Sequence, residues 1–304
     1  MSTEKTKQTV QTTGHAWDGD LQEFNNPLPS WWLWGFYATV VFALVYWVLY
    51  PAWPVGNTFT KGTMNDITYK TADGKEVTTH WNTRSLLMKE LEEAREAQAK
   101  YIEELKTASY ADIKSSDDKT AFVYSKAKVL FADNCAACHQ NGGGGVIGAY
   151  PNLADDAWLW GGSFEKIQES ITNGHNGAMP SFKKSLNEAQ ISDVADYVLS
   201  ISGHEVDAQA AQRGKAVFTG AGGCFACHGA DAKGQISMGS ANLTDSIWTI
   251  ANVSGSKDMA IKKAAIVKVV TDGKTRVMPA WKGRLSDTEI KILTFYVHEL
   301  GGGK

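Results

Sequence analysis

Cys135-Ala136-Ala137-Cys138-His139 and Cys224-Phe225-Ala226-Cys227-His228 are two copies of one five-residue motif, and their reading decides the fold. Cys-x-x-Cys-His is the attachment pattern for c-type haem. Two thiols about a helical turn apart add to the two vinyl groups of one porphyrin, and the adjacent His lies under the iron as its proximal ligand. Together the motifs use all 4 cysteines of the chain. The competing readings lack their partners. A shared zinc site needs four soft ligands in one place, whereas each Cys pair here opens its own repeated unit. A thioredoxin-like dithiol needs a βαβ context, whereas the surrounding pattern reads as helices and glycine-rich loops. The expectation is two covalently bound haem c groups, held by Cys135, Cys138, Cys224 and Cys227, with His139 and His228 on the irons.

The motifs belong to a longer repeat. The second lies 224 − 135 = 89 residues after the first, and at about that offset Pro151-Asn152-Leu153 is echoed by Ala241-Asn242-Leu243 and Trp158 by Trp248. Further on the offset is 278 − 179 = 99: Thr172-Asn173-Gly174 is echoed by Thr271-Asp272-Gly273, Met179-Pro180 by Met278-Pro279, and Tyr197-Val198 by Tyr296-Val297. The added length falls in the polar stretch Asn252–Lys263, expected to be a surface insertion.

This order resembles class I cytochrome c domains, in which a helix leads into Cys-x-x-Cys-His, a loop carries an axial Met, and a C-terminal helix packs back on the first. The helices expected in copy one are Ala121–Asp133 and Gln190–Ile201, the latter with an Asn187/Gln190 cap. Those in copy two are Ala211–Thr219 and Thr288–Leu300, with a Ser286/Glu289 capping box. The resemblance makes Met179 and Met278 the expected distal iron ligands. Their rivals are His175, in a glycine-rich loop, and His204, between the copies; neither is matched by a His in copy two, where Lys274 stands opposite His175. Met238 and Met259 have no counterpart in copy one and read as packing or surface residues. Ligation within each copy is the simpler arrangement, and exchange of the two Met loops stays open.

The N-terminal third indicates where the haems work. No charged residue occurs from Phe24 to Thr60, and Trp31–Tyr50 is an apolar run of bilayer-spanning length. Trp31, Trp32 and Trp34 at one end and Trp47, Tyr50 and Trp53 at the other match interfacial aromatic belts, and Pro51 and Pro54 stop the helix. A cleaved signal peptide fits less well, because a long acidic segment precedes the run and no Ala-x-Ala-like site follows a short apolar core. Lys and Arg counts leave the orientation open. Haem c is attached outside the bacterial cytoplasm, which puts the N-terminus in the cytoplasm and the haems in the periplasm. The fold expected is mainly α, one N-terminal transmembrane helix followed by two tandem class I cytochrome c domains. Its parts are a cytoplasmic segment (1–30), the anchor (31–53), a periplasmic hairpin, charged helix and linker (54–120), the first cytochrome c domain (121–204) and the second (208–304). Within the connector, Ile67–Thr79 alternates around Asp73-Gly74 as a hairpin, Leu86–Leu105 is an amphipathic charged helix, and Thr107–Asp118 is a polar linker. With 30 Lys+Arg against 33 Asp+Glu, nothing favours nucleic-acid binding.

Trp17-Asp18-Gly19, Asn25-Asn26-Pro27-Leu28-Pro29-Ser30-Trp31-Trp32-Leu33-Trp34, Tyr46-Trp47, Leu49-Tyr50-Pro51 and Trp81-Asn82-Thr83-Arg84-Ser85-Leu86 resemble, together with both haem motifs, the CcoP/FixP family, the dihaem subunit of cbb3-type cytochrome c oxidases. The resemblance covers nearly the whole chain. It implies a single-pass protein of the bacterial inner membrane that takes electrons from a donor cytochrome c. These would pass to a monohaem cytochrome c subunit and on to the haem-copper catalytic oxidase subunit, which reduces oxygen and pumps protons. On this reading the chain has no catalytic residues of its own. A dihaem peroxidase or a gas sensor would need an open sixth position on an iron, and the two Met-Pro motifs argue against one. Charge separates the copies: Ala121–His204 carries 5 − 8 = −3 and Ala208–Lys304 carries 13 − 7 = +6. An acidic first copy would steer in a basic donor, and opposite charges would equally hold the copies together.

Overall fold

The computed structural model describes residues 10–63, 66–71 and 73–301. Its packing divides the chain into two compact units, Met1–Gln98 and Ala99–Lys304.

In the first unit, Thr12–Trp17 (β1) pairs antiparallel with Leu21–Phe24 (β2). Asp18 and Gly19 take positive φ at the turn, 50° and 91°, the conformation that Asp-Gly hairpins use. The helix α1 (Ser30–Leu49) follows Pro29 and buries none of its residues. A 20-residue helix is about 30 Å long, the thickness of a hydrocarbon core. A helix apolar on every side and with none of its residues buried suits lipid rather than water. The chain turns back at its end, where Thr63 N donates to Val48 O (3.1 Å), satisfying one of the last orphan carbonyls. Trp47 packs edge-on to Trp53 and Tyr46 stacks on Tyr50 (both 4.7 Å). Two ribbons follow, Pro54–Val55 (β3) with Thr58–Phe59 (β4) and Ile67–Lys70 (β5) with Glu76–Thr79 (β6). The second is the hairpin expected around Asp73-Gly74. The charged helix α2 (Thr83–Thr107) starts here and ends in the second unit.

The second unit opens with a correction. Thr107–Asp118, expected as a linker, contains a short helix α3 (Tyr110–Lys114), because Ser109 and Asp112 cap each other: Asp112 N donates to Ser109 Oγ (3.1 Å) and Ser109 N to Asp112 Oδ2 (2.9 Å). Copy one then runs through α4 (Asp117–Asn134), α5 (Ala136–His139), α6 (Phe164–Asn173), β7 (His175–Met179) and α7 (Glu188–Ile201). Copy two runs through α8 (Ala208–Thr219), α9 (Phe225–His228), α10 (Met259–Asp272), β8 (Lys274–Met278) and α11 (Asp287–Gly301). The Asn187/Gln190 box caps α7, and Ser286 N donates to Glu289 Oε2 (2.9 Å) at the start of α11. The insertion expected to lie on the surface contributes a fully buried side chain, Val253.

The two cores do not follow the sequence repeat. One joins Val123, Ala127, Leu130 and Phe131 of α4 and Ile167 and Ile171 of α6 to Ile290, Leu293, Tyr296 and Val297 of α11. The other joins Val217 and Phe218 of α8 and Ile266 and Val270 of α10 to Ile191, Val194, Val198 and Leu199 of α7. Each copy thus lends its last helix to the other's first. The i, i+4, i+7, i+8 spacing on α4 makes the apolar stripe that receives α11. Leu293 has no exposed surface, and cutting such a side chain to Ala costs roughly 2–5 kcal/mol.

The crossing point is the ribbon β7–β8, paired antiparallel from His175↔Met278 to Met179↔Lys274. It begins where α6 and α10 end, at Gly174 (φ 66°) and Gly273 (φ 72°). A side chain at Gly174 would overlap Met278 O, and one at Gly273 would lie 2.6 Å from Met179 O; only glycine fits that backbone and that approach. The carbonyls left open at each helix end are taken by the crossing strand of the other copy. Phe182 N donates to Val270 O (3.0 Å), and Trp281 N donates to Ile171 O (3.1 Å).

Candidate haem site

Each Cys-x-x-Cys-His is wound into a single helical turn. His139 N donates to Cys135 O and His228 N to Cys224 O, both at 2.9 Å, so the two thiols and the imidazole of each motif point the same way. Burial pushes the Cys135 thiol up to about 11, and burial raises Cys224 as well. These are protonated, enclosed sulfurs, unlike the low-pKa thiolates of dithiol redox sites.

The histidines are oriented from behind. His139 Nδ1 lies 3.1 Å from Pro151 O and His228 Nδ1 lies 2.9 Å from Ala241 O. A carbonyl can only accept, so each Nδ1 carries the proton and each Nε2 is left with a lone pair for a metal. Burial lowers the pKa of both rings, which keeps them neutral, as ligation requires. The echo of Pro151-Asn152-Leu153 in Ala241-Asn242-Leu243 now has a physical reason. Asn152 Oδ1 accepts from Ala154 N (2.8 Å) and Asn242 Oδ1 from Thr244 N (3.0 Å). These Asx turns fix the carbonyl just before each Asn against its histidine.

A continuous cavity of about 580 Å³ is lined by Cys135, Cys138, His139, Cys224, Cys227 and His228, and by Met179 and Met278. The structure brings all eight expected site residues to it. Met278 packs with the core that holds Cys135, and Met179 with the core that holds Cys224. Of the rival ligands, His175 stacks on Trp160 (4.0 Å) and meets Ser170 Oγ through Nε2 (2.7 Å). His204 Nε2 faces Lys262 Nζ (3.0 Å) and is not part of the cavity lining.

The cavity has one feature that sequence reasoning missed. Among the described residues, three buried side-chain nitrogens have no partner, Trp158 Nε1 and Nε and Nη1 of Arg276, and both residues line this cavity. Leaving such donors unpaired is costly. A flat apolar ring that carries carboxylates fits both the apolar walls and these donors, and haem c is such a group. The signal for Arg276 was its spacing: on a strand, residue 276 faces the same side as residue 278.

A family model described as the N-terminal domain of cytochrome oxidase-cbb3, FixP, matches residues 9–57. A second, described as cytochrome c oxidase, cbb3-type, subunit III, matches residues 123–198 and 209–297. The chain is 44% identical to the cbb3-type cytochrome c oxidase subunit FixP of Azorhizobium caulinodans, over 96% of this chain and 94% of that protein. It is 40% identical to the subunit CcoP of Azospirillum brasilense (97% and 96%) and 37% identical to that of Cereibacter sphaeroides (100% of both). The cytochrome c character implies covalently bound haem c, and the apolar α1 is consistent with membrane anchoring. The chain belongs to the CcoP/FixP family, subunit III of the cbb3-type cytochrome c oxidases.

Proposed function

We propose that this chain is the electron-transfer subunit of a cbb3-type oxidase, carrying two haem c groups on exchanged Met ligands. The observation that carries the reading is the shared cavity, where two thiol–imidazole turns meet two thioethers from the opposite copies. Cys135 and Cys138 would hold one ring by thioether bonds, and His139 and Met278 would supply the ligands to its iron. Cys224, Cys227, His228 and Met179 would do the same for the second. When bound, haem c supplies a one-electron iron couple. The chain's own part would be to offer each iron an imidazole and a thioether, which would leave no position for oxygen or peroxide, and to enclose the rings within apolar walls. The Met thioether stabilises Fe(II) more than a second imidazole would and so raises the potential. These are the properties of a wire rather than of a catalytic centre. The arrangement is read as two cytochrome c domains of class I type built on the repeats 121–204 and 208–304, with their last segments exchanged. A single-pass anchor at 31–53 holds them on the periplasmic side of the bacterial inner membrane. Electrons enter from a donor cytochrome c and leave to the monohaem subunit, which feeds the haem-copper subunit.

The test uses single-haem backgrounds. With Cys224 and Cys227 replaced by Ala, the haem left on Cys135 and Cys138 should lose its thioether-to-iron absorption band in Met278→Leu and keep it in Met179→Leu. The reverse background should give the reverse result. Haem staining after denaturing electrophoresis and mass spectrometry count the covalent groups. Two covalent haems surviving removal of both cysteines of one motif would sink the haem assignment; a band that follows the Met of the same copy would sink the exchange.

A further inference from the structure

The ribbon β7–β8 lies on a local two-fold relation between the copies. The repeat relates residue 177 to residue 276 (276 − 177 = 99, as 278 − 179 = 99), and the ladder pairs the same two residues, Gly177↔Arg276. This middle pair maps onto itself and therefore sits on the axis. The two Met residues stand two positions away, at opposite ends of the ribbon. On the axis the copies differ: one offers glycine, the other arginine. Arg276 is half-buried in the cavity. Its Nη2 donates to Thr249 O, while Nε and Nη1 have no partner.

A half-buried guanidinium whose Nε–H and Nη1–H are both unpaired calls for anionic acceptors, and because the two groups point to opposite sides of the plane each takes its own oxygen. The cavity already has to receive the carboxylates of the rings it holds. We propose that Arg276 is a positive charge shared by both haem sites: its Nε–H and Nη1–H bind haem carboxylate oxygens, and its place in the cavity that both sites share raises the reduction potential of both irons. Reduction adds one negative charge to a site. A cation held beside it, away from bulk water, favours the reduced form. Copy one has glycine at the equivalent position, so this one arginine of the ribbon stands in the cavity that both sites share.

This rests on the dihaem reading, and haem staining separates failure of that reading from failure of this one. The full chain, purified with its membrane partners, is titrated spectroelectrochemically. Arg276→Gln should keep both covalent haems and both thioether bands, yet lower both potentials. The expected loss is about tenfold in each reduction equilibrium, the size of a charge-assisted hydrogen bond, or about 59 mV for a one-electron couple. Arg276→Lys keeps the charge and should recover most of the loss. Unchanged potentials in Arg276→Gln, a shift in only one haem, or an Arg276→Lys variant as low as Arg276→Gln would overturn the proposal. If Arg276→Gln does not accumulate with both haems, Arg276→Met, which keeps the apolar stem and removes the charge, is titrated in its place, and unchanged potentials or a shift in one haem alone overturn the proposal.

Discussion

Gly273→Ala should damage the second haem site from a position that touches neither of its cysteines. Gly273 ends α10 at φ 72°, where a residue with a Cβ costs roughly 1–2 kcal/mol. The new methyl would also lie 2.6 Å from Met179 O, 2.7 Å from Ser181 N and 2.8 Å from Pro180 C. All three are backbone atoms of the crossing strand and cannot rotate away, so the strand must shift, at roughly 1–3 kcal/mol as for other overpacked sites. A total of roughly 2–5 kcal/mol in a unit of this size lowers the melting temperature by roughly 4–20 °C. The strand that moves carries Met179. In the background that retains only the haem on Cys224 and Cys227, the thioether-to-iron band should weaken or vanish well below the melting transition. In the complementary background it should persist, and Gly174→Ala should give the mirror result, because a side chain there meets Met278. A Gly273→Ala protein whose first haem loses the band while the second keeps it would refute the exchanged packing. A neutral substitution would refute the close approach itself.

Other consequences are open to measurement. Lys263 Nζ pairs with the largely enclosed Asp196 at 2.7 Å, joining α10 to α7; Lys263→Met should destabilise the unit by roughly 1–3 kcal/mol in chemical denaturation, since it leaves a carboxylate unpaired. Lys291 Nζ donates to Leu105 O, Lys106 O and Ala108 O (2.9–3.0 Å), a cation on the C-terminus of α2, so Lys291→Met should cost about 1–2 kcal/mol and loosen protection of that helix end in hydrogen exchange. Burial and the neighbouring Asp156 and Asp245 raise the Asp155 pKa. The folded state then binds a proton more tightly than the unfolded one, and stability falls as pH rises from the unfolded value through the folded one. Asp155→Asn should therefore stabilise the protein at neutral pH and lose its advantage in acid. Neutralising Asp156 and Glu165 should slow oxidation of a basic donor cytochrome at low salt more than neutralising Lys262, Lys263 and Lys268; the opposite ranking would put electron entry at the second copy.

That last comparison is weighted by what the basic set is doing. Lys262 faces His204, Lys263 holds Asp196 and Lys268 pairs with Asp272, so part of the charge asymmetry between the copies is spent inside the molecule. The cap pairs Asn187/Gln190 and Ser286/Glu289, the long apolar helix α1 and the hairpin at Asp73-Gly74 could be read from residue types, because each depends on neighbours within a few positions. α3 was missed because its box closes with Asp112 rather than Glu or Gln. The exchange could not be read at all. The helices α7 and α11 carry equivalent apolar faces, and either would fill the stripe on α4 or α8; periodicity says which face is buried, not against which copy. The pairing of His175–Met179 with Lys274–Met278 is equally silent in sequence, since His-Asn-Gly-Ala-Met has no strand pattern.

The exchange also sets an order of assembly. The core around the first haem turn is completed by α11, which begins at Asp287, some 150 positions after Cys138. During synthesis Cys135 and Cys138 therefore emerge long before the wall that will enclose them, and on the proposed reading the first turn stays open to attachment of its ring until α11 arrives. The second turn meets its partner helix α7 already made. Contacts so distant along the chain form slowly. A protein cut short before Asp287 would close its second site and leave its first exposed, although the missing residues all lie in the second copy.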